Sequence, residues 1–563
     1  MSILKMEFKL PYLLLFITLL SGCATYNQDI NSGLDLAKKG EWQAAEIVIS
    51  DVLDSSQDHL LRLLEKGALA QYQGDFERSN LLLEEAEKIS DTFFKESYAN
   101  RSVALLTNAR QSDYSASGVE RVYINFFKSL NYLALAEQAE STREKQSLLD
   151  SALIEARRID IKLNEINALT PSYEDIDDDN KAFYQKALSW LSGFYTGGIN
   201  ADDFVYRDDA WGRYIEGLQH EISGEYDDAR ISYRNAAELY DSGYSKQYEL
   251  PNETSQRAWL DVIRMMQKAG GWKNEYPALI QEKLSAEYQT LLKEYQTQPA
   301  ELVVIEEQGF IPPRKELNLM LYASPNDYSL VLEPVYTGTN HDANNASRWF
   351  SMVYADNNVL NLLANYKAGG GWSTLGGLFT KRVILGRGLW QQLGNLGIDD
   401  MLYDAPIRIA VPYYDPFVPA NDKPTLTNLV AGTGSAVRAS SIRMTSVAGI
   451  AIQEQLGNAH RDIYEALIKE LIRNQLAYQV TKQISDPTAN LLLSLVGKIA
   501  VAASVSAETR NWLTLPAQVR LIRQPVKTGK QSFNYQTKSA VFNMKEVDIS
   551  ENDIKLWTIR NPN

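Results

Sequence analysis

YQGDFERSNLLLEEAEKI, residues 72–89, and SGEYDDARISYRNAAELY, residues 223–240, share one layout: a glycine, an acid and an aromatic, then small and apolar residues at helical spacing. Gly40-Glu41-Trp42 opens a further copy, the first along the chain. Behind the aromatic, one helical face continues as Ala45, Ile49, Val52 and Leu53 in the first copy. It continues as Ser79, Leu83 and Ala86 in the second, and as Ala229, Tyr233, Ala236 and Ala237 in the third. A glycine can take the left-handed backbone that ends one helix and turns into the next. The aromatic closes the seam, and the small residues let two antiparallel helices approach. The spacing predicts helical hairpins over residues 33–295, a stretch rich in Ala, Leu, Glu and Gln with few prolines.

Gly40 and Gly74 stand 34 residues apart, the period of the tetratricopeptide repeat, and the two quoted segments resemble its second half. Residues 121–160 keep the helical pattern without the glycine turn. One hairpin cannot bury its apolar face alone, so four or five stacked hairpins are expected, with a plain helical bundle as the alternative. Stacking would leave a concave groove suited to a peptide or partner helix, and the module carries no chemistry of its own.

From about Glu301 the pattern changes to short apolar runs bounded by Pro, Gly and Asn. The strands expected are Leu302–Glu306, Leu317–Tyr322, Leu330–Tyr336, Trp349–Tyr354, Ile407–Tyr413, Gln518–Ile522 and Ala540–Asn543. Between them a helix is expected from Ser446 to Gln483, with Ile463, Leu467 and Leu471 on one face, and a second, apolar one from Asn490 to Ala507. The fold class is therefore a helical repeat array, residues 33–295, followed by an α+β domain, residues 296–563, with a mainly antiparallel sheet and long helices. A glycine-rich insertion, residues 337–404, is expected to interrupt that domain.

The chain has 563 residues and a formal net charge of −15, which speaks against nucleic-acid binding and against a body lying flat on anionic lipid. A single cysteine excludes a disulfide framework and multi-cysteine metal centres. That cysteine sits in a telling place. Lys5 and Lys9 precede an apolar run, Leu10 to Leu20, too short to span a bilayer as a stable helix. Leu20-Ser21-Gly22-Cys23 follows and resembles the lipobox of bacterial lipoproteins. That resemblance implies a signal peptide over residues 1–22, lipidation at Cys23 with thioether-linked diacylglycerol and an acylated amino group, and a lipidated linker over residues 23–32. Several acyl chains, at about 0.8 kcal/mol per buried CH₂, make such an anchor effectively permanent. In the lipoprotein family an Asp after the cysteine usually means inner-membrane retention, so the resemblance, with Ala24 there, implies the outer membrane.

Catalytic patterns are missing from the sequence. There is no G-x-S-x-G elbow and no S-x-x-K acylation motif. The four histidines, His59, His220, His341 and His460, lack zinc-site spacing, and His59 and His220 read as seam or surface residues of the hairpins. Asp175, Asp177 and Asp179 imitate the start of an EF-hand loop, but Asn180 replaces its glycine and Lys186 its bidentate glutamate. Gly369-Gly370-Gly371 and Gly386-Arg387-Gly388 are not followed by phosphate- or dinucleotide-binding partners. Trp372, Trp390 and Tyr413-Tyr414 could stack on sugars, with core packing the simpler role. No catalytic residue, cofactor or metal is expected.

Four segments together are similar to a family of uncharacterised bacterial outer-membrane lipoproteins with tetratricopeptide-like repeats: GCATYNQ at 22–28, NYLALAEQ…SALIEARRID at 131–160, VVIEEQGFIPPRKE at 303–316 and SAETRNWLTLPAQVRLIRQPVKTGKQSF at 506–533. The resemblance implies a periplasm-facing protein held to the outer membrane by lipid, without catalytic residues. Genes of that family often lie beside a lipoprotein activator of a penicillin-binding protein. The expected role is a protein–protein interaction scaffold with a periplasmic or outer-membrane partner, in cell-envelope or peptidoglycan assembly. A glycan-active envelope enzyme using acidic residues of the C-terminal domain, and a subunit of an export or secretion assembly, are the alternatives.

Overall fold

The computed structural model describes residues 25–99, 113–169, 209–354, 380–395, 406–428, 438–459 and 505–563, apart from residues 299, 337, 385 and 421, with isolated positions at 402, 462, 463, 466 and 470. Paired helices come first: α1 (Thr25–Lys38) with α2 (Trp42–Val52), α3 (His59–Tyr72) with α4 (Phe76–Ala99), α5 (Gly118–Gln138) with α6 (Thr142–Leu169), and α7 (Ala210–Ile222) with α8 (Tyr226–Leu239). Helices α9 (Asn252–Ala269), α10 (Tyr276–Lys283) and α11 (Ala286–Thr297) complete the row. The first helix takes in most of the segment expected as a linker over 23–32, because Ile30 and Leu34 are buried against the hairpin.

Gly40, Gly74 and Gly224 have φ of +78°, +81° and +79°. In each turn the following N–H donates five residues back, from Glu41 to Leu36 O (3.0 Å), Asp75 to Ala70 O (2.9 Å) and Glu225 to His220 O (2.8 Å). This double reversal satisfies carbonyls that a helix end would leave bare. A second glycine recurs seven residues earlier, at Gly33, Gly67 and Gly217, and the sequence reading passed over it. A Cβ there would stand 2.5–2.6 Å from Ile49, Leu83 and Tyr233 respectively, each nine residues after the turn glycine. The hairpins therefore close glycine against a large side chain at one fixed height. The α5–α6 pair does without these glycines; a Ser117–Glu120 capping box starts α5, and Ala139 ends it in an extended conformation.

Among the described residues, the second half holds three four-stranded sheets, in the orders β12-β1-β9-β8, β11-β10-β6-β7 and β4-β3-β2-β5. The strands are β1 (Ala300–Gln308), β2 (Arg314–Ser324), β3 (Ser329–Val335), β4 (Lys381–Ile384), β5 (Ile407–Tyr414), β6 (Thr425–Asn428), β7 (Arg438–Ser440), β8 (Ile442–Thr445), β9 (Gln518–Val526), β10 (Gly529–Gln536), β11 (Val541–Ile549) and β12 (Ile554–Asn561). Every pair is antiparallel except β1 with β12. β1 is buried along its whole length. Its Val303 and Ile305 join the core of the helical array, while Leu302 and Val304 join a separate core with Phe533 and Tyr535 of the second sheet. The first sheet thus lies between the array and a second sheet, and the boundary expected near residue 296 is a chain boundary inside one continuous core.

Two expectations need correction. Trp349–Tyr354 is not a strand but the end of helix α12 (Asn340–Val353), started by a Thr339–Asp342 capping box. Ala346, Trp349, Phe350 and Val353 bury one face at helical spacing, a pattern that outweighs the β preference of the aromatics. Residues 337–404 are also more than an insertion: α12 packs into the core, and β4 adds an edge strand to β3. Of the helices expected at Ser446–Gln483 and Asn490–Ala507, residues 447–459 are helical, residues 505–507 are not, and most of the remainder lies outside the described residues.

The glycine contacts give a direct test of the hairpin packing. Gly67→Val should cost about 1–3 kcal/mol by driving a branched side chain into Leu83. Adding Leu83→Ala should return part of that loss in thermal melts; a melting temperature unmoved by Gly67→Val would contradict the packing.

Candidate functional site

The inner helices do not face an open groove. Glu65 on α3, buried, accepts hydrogen bonds from the backbone N–H of Leu513 (2.6 Å) and Thr514 (3.2 Å) and from the Thr514 hydroxyl (2.5 Å). Tyr72 Oη donates to the Thr514 carbonyl at 2.9 Å. Glu120 on α5 accepts from the N–H of Trp512 at 2.7 Å, and the Trp512 ring stands edge-on to Phe127 at 5.4 Å between centroids. Farther along, Tyr240 Oη donates to Met444 O (3.0 Å) and Thr254 Oγ1 to Arg443 O (2.8 Å). The array grips main chain, as a peptide-binding face would, but the peptide is its own residues 512–514 and 443–444. The expected concave groove is therefore filled from within, because the apolar inner face is buried by the nearest sheet.

One end of this junction is ionic. Arg523 (β9), Arg257 and Arg264 (α9) meet Glu221 (α7), Asp261 (α9) and Glu301 (β1), and all six are buried. Arg523 reaches Glu221 at 2.9 Å, Glu301 at 2.7 Å and Asp261 at 3.3 Å. Arg264 reaches Asp261 at 2.6 Å and both Glu221 and Glu301 at 3.1 Å; Arg257 pairs with Asp261. The hydroxyls of Tyr214, Tyr233 and Tyr295 donate to Asp261, Glu221 and Glu301. Burial alone would raise the acids, but Arg264, Arg523 and Lys268 hold Glu221 well below the usual carboxylate range, and Arg264 and Arg523 lower Glu301. Three ionised acids balancing three guanidiniums form a tie rather than a proton donor.

A cleft of about 460 Å³ opens above the tie, with Lys145, Glu137, Tyr226, Lys268 and Tyr295 on its walls. Lys268 sits at the mouth, 2.9 Å from Glu221. Residues 301–563 give this cleft a single acidic group, Asp553, so it holds no pair of facing carboxylates from the C-terminal half of the kind a glycosidase uses.

The residues singled out in the sequence lie elsewhere. Cys23, the leader, the acidic run 174–179, Gly369–Gly371, Trp372 and His460 fall outside the described residues. His59 is 3.3 Å from Glu85 on the neighbouring helix, and His341 is 3.1 Å from Asn345. Tyr413 and Tyr414 are buried, packed on Trp349 and bonded to Arg314 respectively, so they stack on protein. Gly386 and Gly388 belong to the first turn of a short helix, α13 (Gly386–Asn395). What sequence reasoning missed is the charge at the junction. Its signal was present in AELVVIEEQ and QVRLIRQPV, strands apolar enough to be buried yet carrying Glu301, Glu306, Glu307, Arg520 and Arg523.

No family model matches the chain, and no curated protein matches it. Among solved structures it is similar to a thermophilic TPR protein of Thermus thermophilus, at 14% identity across 48% of this chain and 100% of that one, with a TM-score of 0.24. The likeness is distant and partial; the pairing of helices stands on this chain's own turns and packing. Among the described residues, no helix is long and apolar enough to cross a membrane.

Removing one member of the ionic tie leaves buried charge without a counterpart. Arg523→Met should cost about 3–5 kcal/mol in urea unfolding, while Lys268→Met at the rim should cost far less; equal losses would contradict the tie. The clamp predicts a pH dependence. Burial raises Glu65 from 4.5 to about 7 despite its three donors, and raises Glu307 likewise. A folded carboxyl that holds its proton longer than the unfolded one stabilises fully below pH 4.5 and loses that contribution as pH rises toward 7. Unfolding free energy should therefore fall from pH 5 to 7.5, by about 2 kcal/mol for Glu65, and Glu65→Gln should flatten the slope. An unchanged slope in that variant would assign the effect elsewhere.

Proposed function

We propose that this chain is a lipid-anchored, periplasm-facing scaffold of the outer membrane, whose tetratricopeptide-like hairpins serve protein–protein interaction in cell-envelope or peptidoglycan assembly. The observation that carries the scaffold reading is the filled groove. Glu65, Glu120 and the Arg523 tie lock array and sheets into one body, so a partner meets the outer helices instead of the inner ones. Those outer helices repeat an exposed apolar side chain seven residues after each turn glycine: Ile47, Leu81 and Ile231, at 64%, 74% and 47% exposure. Single exposed apolar residues are ordinary on any surface; their recurrence at one repeat position supports a surface meant for contact. The anchoring reading is supported by the Lys5–Cys23 leader, with its short apolar run and Leu20-Ser21-Gly22-Cys23.

Two measurements test this. Cys23→Ser should move the protein from the membrane fraction to the soluble periplasmic fraction, and continued sedimentation with membranes would refute the anchor. A photo-crosslinking residue at Leu81 or Ile231 should capture a peptidoglycan synthase or its activator in intact envelopes; crosslinks from the outer helices to neither would refute the assembly role.

A further inference from the structure

The turn between α7 and α8 carries His220-Glu221-Ile222-Ser223-Gly224-Glu225-Tyr226-Asp227-Asp228. Gly224, at φ +79°, and the bond from Glu225 N–H to His220 O fold the start of α8 back over the last turn of α7. His220 Nδ1 then lies 2.6 Å from Glu225 Oε2, and an Asp228 carboxylate oxygen comes within 4.8 Å of both. The imidazole is only 5% exposed, and its Nε2 faces Glu216, one turn back on the same helix, at 3.9 Å. We infer that His220, Glu225 and Asp228 form a binding site for a divalent first-row transition-metal ion, with Zn²⁺ the best match to one imidazole nitrogen and two carboxylate oxygens.

The chain supplies its own control for this inference. The same turn is built twice more, around Gly40 and Gly74, with the same backbone bonds and the same acid after the glycine, Glu41 or Asp75. The position of His220 is Leu36 in one and Ala70 in the other, and that of Asp228 is Ala44 and Arg78. Neither the imidazole nor the second carboxylate is needed to make the turn, so their convergence in the third copy calls for another explanation. Bonds of about 2.0–2.2 Å place the donors of one tetrahedral ion about 3.4 Å apart, so the ion must replace the direct His220–Glu225 hydrogen bond, spreading that pair by about 1 Å, while the exposed Asp228 side chain swings inward by up to about 1.5 Å. Glu216, 3.9 Å from Nε2, is placed to become the outer carboxylate of a metal-bound histidine if it closes to hydrogen-bond distance. Arg157 on α6 approaches Glu225 Oε2 at 3.2 Å and competes with the ion for that oxygen.

The test is Zn²⁺ titration of the tag-free protein by calorimetry, with Co²⁺ absorption as an independent view of the ligand field. One ion per chain at micromolar affinity is expected. Asp228→Asn, at an exposed position that leaves the fold intact, should weaken binding about tenfold or more. His220→Leu, copying the first turn, should abolish it, and Arg157→Gln should tighten it severalfold. No binding well above micromolar Zn²⁺, or binding indifferent to both Asp228→Asn and His220→Leu, would overturn the site.

Discussion

Three guanidiniums and three carboxylates meet buried between α7, α9, β1 and β9, and none of the six could stay charged there alone. That constraint sets how the helical half sits on the sheet. Arg523 is opposite Val303 in the β1–β9 register, on the face turned to the helices. A slip of one residue would turn Arg523 into the apolar layer that Ile522 now shares with Leu302 and Phe533. The charges contribute little net stability compared with an apolar seam, but they allow one alignment and penalise its neighbours.

Away from the charges, the junction is held by carboxylates that recognise main chain. Glu65 and Glu120 receive N–H groups from residues 512–514, a segment of no regular strand whose amides would otherwise be buried without partners. A desolvated carboxylate is costly, and a bare amide is costly; each reduces the other's penalty, though for Glu65 burial still outweighs the three donors. The inner surface of the array is thus fitted to a turn of its own chain at residues 512–514, and it is complete only with that turn in place.

The helical half was legible because its decisive signals are local. Gly40, Gly74 and Gly224 announce turns that need a left-handed residue, and the spacing after Trp42, Phe76 and Tyr226 announces the second helix of each pair. The glycines at 33, 67 and 217 were equally visible but gain meaning only when set against Ile49, Leu83 and Tyr233 in space. The sheet half was less legible. β6, β7 and β8 run for four, three and four residues, too short to show alternation. β1 finds its partners β9 and β12 far along the chain, as in the pairing of Glu301 with Ile554. The ionic tie followed the same logic: its members come from residues 221, 257, 261, 264, 301 and 523, and no window of sequence contains them all.

The parallel pairing of β1 with β12 has a consequence for biogenesis. Val303, Ile305 and the helices that cover them are synthesised long before β9 and β12 arrive to complete the layer. A nascent or truncated chain must therefore display the lining of its own array, and order of synthesis cannot be order of maturation. Products that stop before Trp512 would carry that lining uncovered, which makes them natural prey for chaperones and proteases.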